Sequence, residues 1–311
     1  MDMENVIIIG GGPAGHAAAI YTARAGLKPL LFEGFMAGGL PPGGQLTLTA
    51  DVENFPGFPV SLTGLELMNQ MRQQSIKFGV KIETKTIDRV DFSRTPFKLW
   101  SGETEYQAKS VIIATGASAK RLQIEGSNKF RERGISACAT CDGGLPVFRD
   151  QVLVVVGGGD AACSEALFLS RFASKIIMLV RKDNLKATKI MQDKVVENSK
   201  IQILYNTEVI ECLGDQSLSA VKIKNNQSGI EEILDCRGLF YAIGHTPNTD
   251  FVNDFLTIDA DGYLITDGVK TNISGIFAAG DVQDKVYRQA ITSAGTGAMA
   301  GIEVDKFLQG I

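Results

Sequence analysis

Two cysteines separated by two residues and followed by an acid are the residues of this sequence with the clearest chemical potential. They are Cys138, Cys141 and Asp142. Thiols at this spacing can hold a metal, cycle between dithiol and disulfide, or lie unreactive in a core. Because this exact spacing followed by an acid makes an unreactive pair less favoured, the pattern favours a reversible dithiol/disulfide. For Asp142 taken alone, the structural interpretation is an acid that stabilises a turn or caps a helix.

The other candidate metal ligands are too few and too scattered for a zinc site. Such a site needs a second pair of ligands, and the chain has only 2 histidines. The remaining cysteines are isolated from one another: Cys163, Cys212 and Cys236. We interpret these three as structural thiols and predict no metal. A thioredoxin fold, another setting for this cysteine spacing, is far shorter than this chain.

A glycine-rich turn near the start of the chain predicts a dinucleotide site. Gly10, Gly12 and Gly15 follow an apolar run and precede an Ala-rich segment. We predict a strand at 6–9, a helix at 14–25 and a strand at 30–32. Glycines allow the backbone to approach a pyrophosphate, and the helix start supplies free N–H groups. Glu33, at the tip of the second strand, is placed to accept hydrogen bonds from ribose hydroxyls.

The same pattern recurs with a different charge at the strand tip. Gly157, Gly159 and Ala162 lie between predicted elements, which are a strand at 152–156, a helix at 161–172 and a strand at 175–180. Cations follow that last strand: Arg181, Lys182 and Lys186. A carboxylate there would repel a 2′-phosphate, whereas cations would attract it. The first turn therefore suits a nucleotide without a 2′-phosphate, and the second suits NADPH. A solvated basic loop is the alternative for the second.

Three further segments, 111–116, 239–244 and 275–281, read as strands that end in small-residue turns. The first two flank the second glycine turn, so we expect the chain to cross between domains there. The third precedes a long predicted helix at 288–308. We interpret both histidines, His16 and His245, as structural residues.

Length and composition limit the class of protein. The chain has 311 residues, a formal net charge of 31 − 35 = −4 and 44% hydrophobic residues. This length predicts about two domains, and the mild negative charge argues against a nucleic-acid surface. Five cysteines are too sparse for a disulfide-stapled secreted scaffold. The sequence shows neither a signal-peptide pattern nor a membrane-length apolar run, so we expect a cytoplasmic protein without a membrane partner.

Over its whole length the sequence resembles the low-molecular-weight thioredoxin reductases, with eukaryotic, fungal-like members the nearest in pattern. The motifs that carry the resemblance are at 10–15, 43–47, 53–57, 114–116, 138–142, 157–160, 280–281 and 288–290. The resemblance implies an α/β protein with two Rossmann-like domains. Residues 1–119 and 247–311 would form a discontinuous FAD domain, and residues 120–246 an inserted NADPH domain that carries the cysteine pair.

The resemblance also implies the chemistry and the contacts. NADPH would reduce FAD, Cys141 would face the flavin, and Cys138 would attack the disulfide of thioredoxin, with a domain rotation between these steps. Asp142 would protonate the leaving thiolate, and the enzyme would be a homodimer. The start of the helix near 288–290 would stabilise negative charge on the reduced flavin. Matched positions toward FAD are Gly10, Gly12, Pro13, Ala14, Gly15, Glu33, Gly44, Gln45, Asn54, Thr115, Gly116, Gly280, Asp281, Arg288, Gln289 and Ala290. Matched positions toward NADPH are Gly157, Gly159, Asp160, Ala162, Arg181, Lys182 and Lys186.

Other functions on the same scaffold stay open at this point. They are a flavin-dependent dithiol oxidase, an NADPH oxidase or ferredoxin-type reductase, and a non-catalytic flavin-binding regulatory protein. The basic strand tip argues against the dithiol oxidase, which needs no nicotinamide. The intact Cys138–Asp142 group argues against the other two.

Overall fold

A computed structural model of the chain describes residues 3–35, 41–49 and 51–310. The chain divides into two compact units, one formed by 1–118 with 246–311 and the other by 119–245. The predicted domain boundaries, 1–119 with 247–311 and 120–246, differ from these units by one residue at each crossing. Which nucleotide each unit holds stays a prediction at this stage.

Strands and helices alternate in two stretches, 4–83 and 139–205, and elsewhere strands follow one another. The strands are β1 Glu4–Ile9, β2 Leu30–Phe32, β3 Lys81–Glu83, β4 Arg89–Asp91, β5 Phe97–Ser101, β6 Thr104–Ile113, β7 Ala117–Ala119, β8 Ile135–Ser136, β9 Val152–Val156, β10 Lys175–Val180, β11 Ile201–Tyr205, β12 Thr207–Gly214, β13 Leu218–Asn225, β14 Glu231–Asp235, β15 Gly238–Tyr241, β16 His245–Pro247 and β17 Ile276–Ala278. The helices are α1 Pro13–Arg24, α2 Gly64–Lys77, α3 Ala139–Asp142, α4 Asp160–Leu169, α5 Lys189–Glu197 and α6 Ala290–Gln309.

The first unit is built on a mixed sheet in the order β3-β2-β1-β6-β5-β4, with β17 also paired to β6. Strand β1 runs parallel to both of its neighbours, and its side chains alternate between two buried layers. Val6 and Ile8 pack with the residues of α1 and α6, whereas Ile7 and Ile9 pack in the core on the opposite face. The central position of β1 puts the glycine turn that follows it at the carboxyl edge of the sheet.

The second unit repeats this arrangement with a parallel sheet in the order β11-β10-β9-β15-β8. Leu153 and Val155 of β9 pack against α4. Val154 and Val156 face the antiparallel sheet formed by β12, β13 and β14. Both faces of β9 are therefore covered, which explains why β9 reads as an uninterrupted apolar run. The α/β class with two Rossmann-like units is as predicted.

Several element ends differ from the sequence predictions, and three of these differences have a clear physical reason. Helix α4 ends at Leu169 and not at 172, because the next residues tighten into a turn in which Arg171 N–H bonds to the carbonyl of Phe168. Helix α6 starts at Ala290 and not at 288, since Arg288 has a left-handed φ of 48° that no helix accommodates. Strand β6 begins at Thr104, well before the apolar segment, because its polar first half pairs with β5.

Candidate active site

The cysteine pair forms a disulfide at the start of α3. Cys138 and Cys141 are bonded, with their Cα atoms 5.3 Å apart. Cys138 is the N-cap residue of the helix, and the backbone N–H of Cys141 donates to Cys138 Sγ over 3.2 Å. Both cysteines are half-buried, while Thr140 between them is exposed. The cysteine pair is therefore partly accessible to solvent, and a hydrogen-bond donor is already aimed at Cys138 Sγ.

Asp142 ends the same helix and lies in an environment that favours its neutral form. Burial raises the pKa of its carboxyl, a hydrogen bond from Ser136 opposes that change, and the negative charge of Glu132 adds to it. Ser136 Oγ donates to Asp142 Oδ2 over 2.6 Å and accepts from the backbone N–H of Cys138 over 3.0 Å. A carboxyl with a raised pKa, joined through one serine to the cysteine, can serve as a proton donor.

The first glycine turn is shaped by close backbone contacts. A Cβ at Gly15 would overlap the carbonyl oxygen of Gly10, and Gly10 itself has φ +120°. A Cβ at Gly12, in contrast, would meet only the carbonyl oxygen of Gly43, 3.9 Å away. The turn leads into α1 with Pro13 in its first helical turn and no acidic residue there. The geometry leaves open space in front of free backbone N–H groups, which is what a pyrophosphate requires.

Glu33 lies at the carboxyl end of β2 and is held on two sides. Arg72 donates to both of its carboxylate oxygens, over 2.7 and 3.1 Å, and Thr84 Oγ1 donates to Oε1. Only 3% of the Glu33 side chain is exposed. Burial alone would raise the pKa of Glu33, but the hydrogen bonds from Arg72 and Thr84 outweigh it and lower the pKa. The carboxylate is thus fixed in position and charged.

Other residues predicted to contact FAD lie in the same unit. Asn54 Nδ2 donates to Gln289 Oε1 over 3.2 Å, which brings together two positions that are 235 residues apart in sequence. Gln289 caps α6, whose first turn contains no acidic residue and begins at Ala290. Gly44 and Gln45 begin the 3-10 turn Gly44–Leu48.

A second pair of predicted contacts lies beside α1 and α6. A Cβ at Gly280 would come 2.9 Å from Ala14 Cβ, so the two turns touch. Asp281 Oδ1 accepts from Ser293 Oγ over 2.8 Å. Burial raises the pKa of Asp281 to about 6. Thr115 Oγ1 donates to the carbonyl of Asn248 and the carbonyl of Thr115 accepts from Asn248 Nδ2, while the backbone N–H of Asn248 donates to the carbonyl of Gly116.

The second glycine turn has the same open centre, but the residues around its opening, which we call its rim, differ. The rim of the first turn is Glu33, and that of the second is Arg181, Lys182 and Lys186. A Cβ at Gly159 would meet nothing within 4 Å, whereas one at Gly157 would collide with the carbonyl of Ala242. Asp160 accepts two hydrogen bonds from Thr188, so its carboxylate is turned toward the chain.

The three cations predicted for the second turn are exposed. Arg181 and Lys182 follow β10 directly, and the backbone N–H of Lys186 donates to the carbonyl of Gly158 over 2.7 Å. No carboxylate of residues 3–35, 41–49 or 51–310 pairs with any of them within 4.0 Å. The rim of the second turn thus carries cations that are available to an anion.

Comparisons with known proteins give the family. Residues 4–297 match the pyridine nucleotide-disulphide oxidoreductase family. A thioredoxin reductase of Dictyostelium discoideum is 53% identical, over 99% of this chain and 98% of that protein. A protein of Kluyveromyces lactis named thioredoxin reductase, mitochondrial, is also 53% identical, over 98% of this chain and 89% of its own length. The thioredoxin reductase structure from Giardia duodenalis superposes with a TM-score of 0.93 at 36% identity, over 99% and 100% of the two chains.

The chain belongs to the thioredoxin reductases. This confirms the resemblance seen in the sequence, including the fungal likeness, and identifies an enzyme of the pyridine nucleotide-disulphide oxidoreductase type. In this thioredoxin reductase the disulfide found between Cys138 and Cys141 fits the redox-active pair.

The three other thiols of this thioredoxin reductase are buried and free. Burial raises the pKa of Cys212 to about 11 and that of Cys236 to about 12, and it also raises the pKa of Cys163. These thiols stay protonated at neutral pH, as structural thiols should. In the described part of the chain, no group of three or more histidine, cysteine or acidic side chains comes together as a metal site. None of the helices between residues 3 and 310, gaps aside, is long and apolar enough to cross a bilayer.

Sequence reasoning missed several residues that hold this site together. Arg72 and Thr84 lie 39 and 51 residues from Glu33, and Asn248 lies 133 residues from Thr115. No local pattern signals partners at such distances. Ser136 is different, because it lies only six residues from Asp142, and a hydroxyl so near a candidate acid could have been singled out.

Proposed function

We propose that this enzyme passes electrons from NADPH, through bound FAD, to the Cys138–Cys141 disulfide, and from the resulting dithiol to the disulfide of a thioredoxin. The observation that carries the proposal is the closed disulfide of α3 with Asp142 at the end of the same helix. When bound, the flavin supplies two-electron transfer between a nicotinamide and a disulfide. The protein residues supply binding, orientation and protons.

The dithiol reaction is carried by the protein's own sulfur atoms. Cys138 attacks one sulfur of the thioredoxin disulfide as a thiolate, forming a mixed disulfide and releasing a thiolate of thioredoxin. The N–H of Cys141, which donates to Cys138 Sγ, stabilises the attacking thiolate. Asp142 gives its proton to the released thiolate. The Cys141 thiol then gives its proton to the Asp142 carboxylate and attacks Cys138 Sγ as a thiolate, which restores the internal disulfide, and the released second thiolate of thioredoxin takes its proton from solvent.

We assign FAD to the unit that contains the first glycine turn, which corresponds to the predicted domain 1–119 with 247–311. The open space at Gly12 supports a pyrophosphate there, and the fixed carboxylate of Glu33 suits ribose hydroxyls. A carboxylate has about four acceptor positions, so Glu33 retains capacity beyond Arg72 and Thr84. The further FAD positions are those named from the sequence motifs.

We assign NADPH to the second turn, in the predicted domain 120–246. The open space at Gly159 supports its pyrophosphate. The exposed cations Arg181, Lys182 and Lys186 support its 2′-phosphate, since a phosphate attracts free basic groups. Only one of the three is an arginine with a bidentate fork, so discrimination against NADH rests mainly on Arg181.

Two further parts of the proposal concern assembly and location. Tyr21 of α1 and Met299 and Ile302 of α6 are 44%, 48% and 44% exposed, and Tyr21 Cβ lies against Gly301. This apolar face supports a homodimer. A working disulfide beside three free thiols supports a reducing compartment, for which we propose the cytoplasm. Localisation to mitochondria in cell fractions would contradict that last part.

Replacing the attacking cysteine tests the proposed function. Cys138→Ser is expected to retain flavin and its reduction by NADPH but to lose thioredoxin turnover by at least about 10³-fold, because no thiolate remains to attack. Stopped-flow flavin bleaching measures the reduction of the flavin by NADPH, and a coupled assay measures thioredoxin turnover. Cys212→Ala, which removes a buried thiol outside the pair, is the control and should keep both. Retained thioredoxin turnover in Cys138→Ser would refute the assignment.

A further inference from the structure

Ser136 lies between the cysteine pair and the proposed proton donor. It is the last residue of β8, and the register of the parallel sheet pairs it with Phe240 of β15. Its hydroxyl has three polar neighbours: Asp142 Oδ2 at 2.6 Å, the N–H of Cys138 at 3.0 Å and the carbonyl oxygen of Cys138 at 3.4 Å. A residue on a strand thus connects two groups of the short helix that follows it.

A serine hydroxyl has one proton to donate and can accept two hydrogen bonds. With Asp142 ionised, Ser136 Oγ accepts from Cys138 N–H and donates to Asp142 Oδ2. With Asp142 protonated at Oδ2, that proton is donated to Ser136 Oγ, and the serine proton turns to the Cys138 carbonyl oxygen. In both protonation states Ser136 Oγ and Asp142 Oδ2 stay hydrogen-bonded to each other, and one rotation of the hydroxyl connects the two arrangements.

Apart from Ser136, the surroundings of Asp142 favour its protonated form. Helix α3 packs through Gly143 against apolar side chains of α4, namely Phe168 and Leu169. Among the described residues, the charged side chain whose field acts on Asp142 is that of Glu132, and it favours the protonated acid. Ser136 is the contact that favours the ionised form.

We propose that Ser136 is a positioning residue that holds the Asp142 carboxyl toward Cys138 and follows its proton during dithiol–disulfide exchange. The inference rests on the proposed acid/base function of Asp142. When Asp142 gives its proton to the departing thioredoxin thiolate, the serine proton returns from the Cys138 carbonyl to Oδ2. Ser136 neither gains nor loses a proton over the cycle, and no covalent bond to it forms or breaks.

The test compares variants that differ in the hydroxyl alone. Ser136→Thr keeps the hydroxyl, and Ser136→Val is its isostere without it, with Ser136→Ala as a third variant. We expect kcat/KM for thioredoxin to fall about tenfold in the valine and alanine variants and to recover in the threonine variant. The limb of the pH profile of kcat/KM that is due to Asp142 should move to higher pH in the variants without the hydroxyl. The reason is that the ionised carboxyl loses its hydrogen-bond donor. Flavin reduction by NADPH should be unchanged in all three variants.

The outcomes separate this inference from the proposed function. An Asp142→Asn variant that keeps the wild-type pH profile would overturn the acid/base function itself. If Asp142→Asn removes the limb while Ser136→Val and Ser136→Ala leave it in place, only the positioning function of Ser136 fails. Should the alanine variant not fold, the threonine and valine variants carry the same comparison. Infrared difference spectra, which follow the protonated carboxyl band against pH, give a readout that a purely structural serine would not move.

Discussion

The two glycine turns share one backbone conformation and differ in the charge, burial and hydrogen bonding of the side chains at their rims. In the first, the carboxylate of Glu33 is 97% shielded at the side chain and is bonded to Arg72 and Thr84. In the second, Arg181 and Lys182 occupy the corresponding strand end and are exposed. In the proposed assignment, the turn provides the anion site, whereas the residues at the strand end decide how the nucleotide is recognised.

This difference between the two strand ends matches the proposed difference in the nucleotides that they bind. A rim fixed by internal hydrogen bonds loses little entropy when a nucleotide binds, which suits a cofactor that stays in place. Exposed flexible cations must be ordered on each binding event, which suits a substrate that arrives and leaves. The two turns thus share the same local fold but are expected to respond differently to substitution.

The largest difference is expected at the third position of each turn. Gly15→Ala would drive a methyl group into the carbonyl of Gly10, so we expect a loss of more than about 3 kcal/mol in stability and loss of bound flavin. Ala162→Gly, its counterpart, should cost about 1–2 kcal/mol through helix propensity and lost burial. Flavin content and urea unfolding measure both. A Gly15→Ala protein that is yellow and as stable as Ala162→Gly would break the comparison.

A smaller difference is expected at the partner of Glu33. Arg72→Met removes the cation from a buried carboxylate, and because Arg72 itself is 35% exposed we expect a loss of about 1–3 kcal/mol. Lys77→Met, exposed on the same helix, is the control and should change little. Thermal unfolding of the flavin-free proteins is the measurement.

The same variant has a pH dependence of known sign. The pKa of Glu33 is lowered in the folded protein from its usual value of 4.5, so its pairing stabilises the fold above that pH and the contribution is lost as pH falls through the folded pKa. The stability gap between wild type and Arg72→Met should therefore shrink below about pH 4. A gap that grows on acidification would contradict the pairing.

The smallest expected effect sharpens the assignment of the second rim. Arg181→Ala should raise the KM for NADPH about tenfold, equal to about 1.4 kcal/mol, and leave the KM for NADH within about twofold. Lys175→Ala, at the amino end of the same strand β10, is the matched control and should affect neither. Steady-state kinetics with both nucleotides measure the two KM values. Equal effects on them would contradict the assignment of the 2′-phosphate to Arg181.

Several strand ends in both units could be predicted from the sequence, because burial leaves a local signal. Strands β2, β9 and β10 end where predicted because buried parallel strands read as short apolar runs bounded by glycine or charge. The helix boundaries predicted at 172 and 288 are wrong, because a turn at Arg171 and the left-handed backbone of Arg288 limit the helices, and composition does not encode such backbone geometry.

The partners that complete each rim depend on tertiary structure. Arg72 lies on α2 and Thr84 just after β3, and only the sheet order brings both to Glu33. Asn248 reaches Thr115 because the chain returns to the first unit after the second unit is complete. Such contacts follow from topology and leave no periodic signal in the sequence.

Electron transfer from one nucleotide-binding unit to the other, and then to one disulfide, is the central step of the proposed function. Anaerobic titration of the purified yellow protein with NADPH, with the electron pairs counted by absorbance, measures this path directly. Two pairs per chain are predicted, one held by the flavin and one by Cys138 and Cys141, with Cys138→Ser taking up a single pair. A wild-type chain that accepts only one pair, or that binds no flavin at all, would contradict the account.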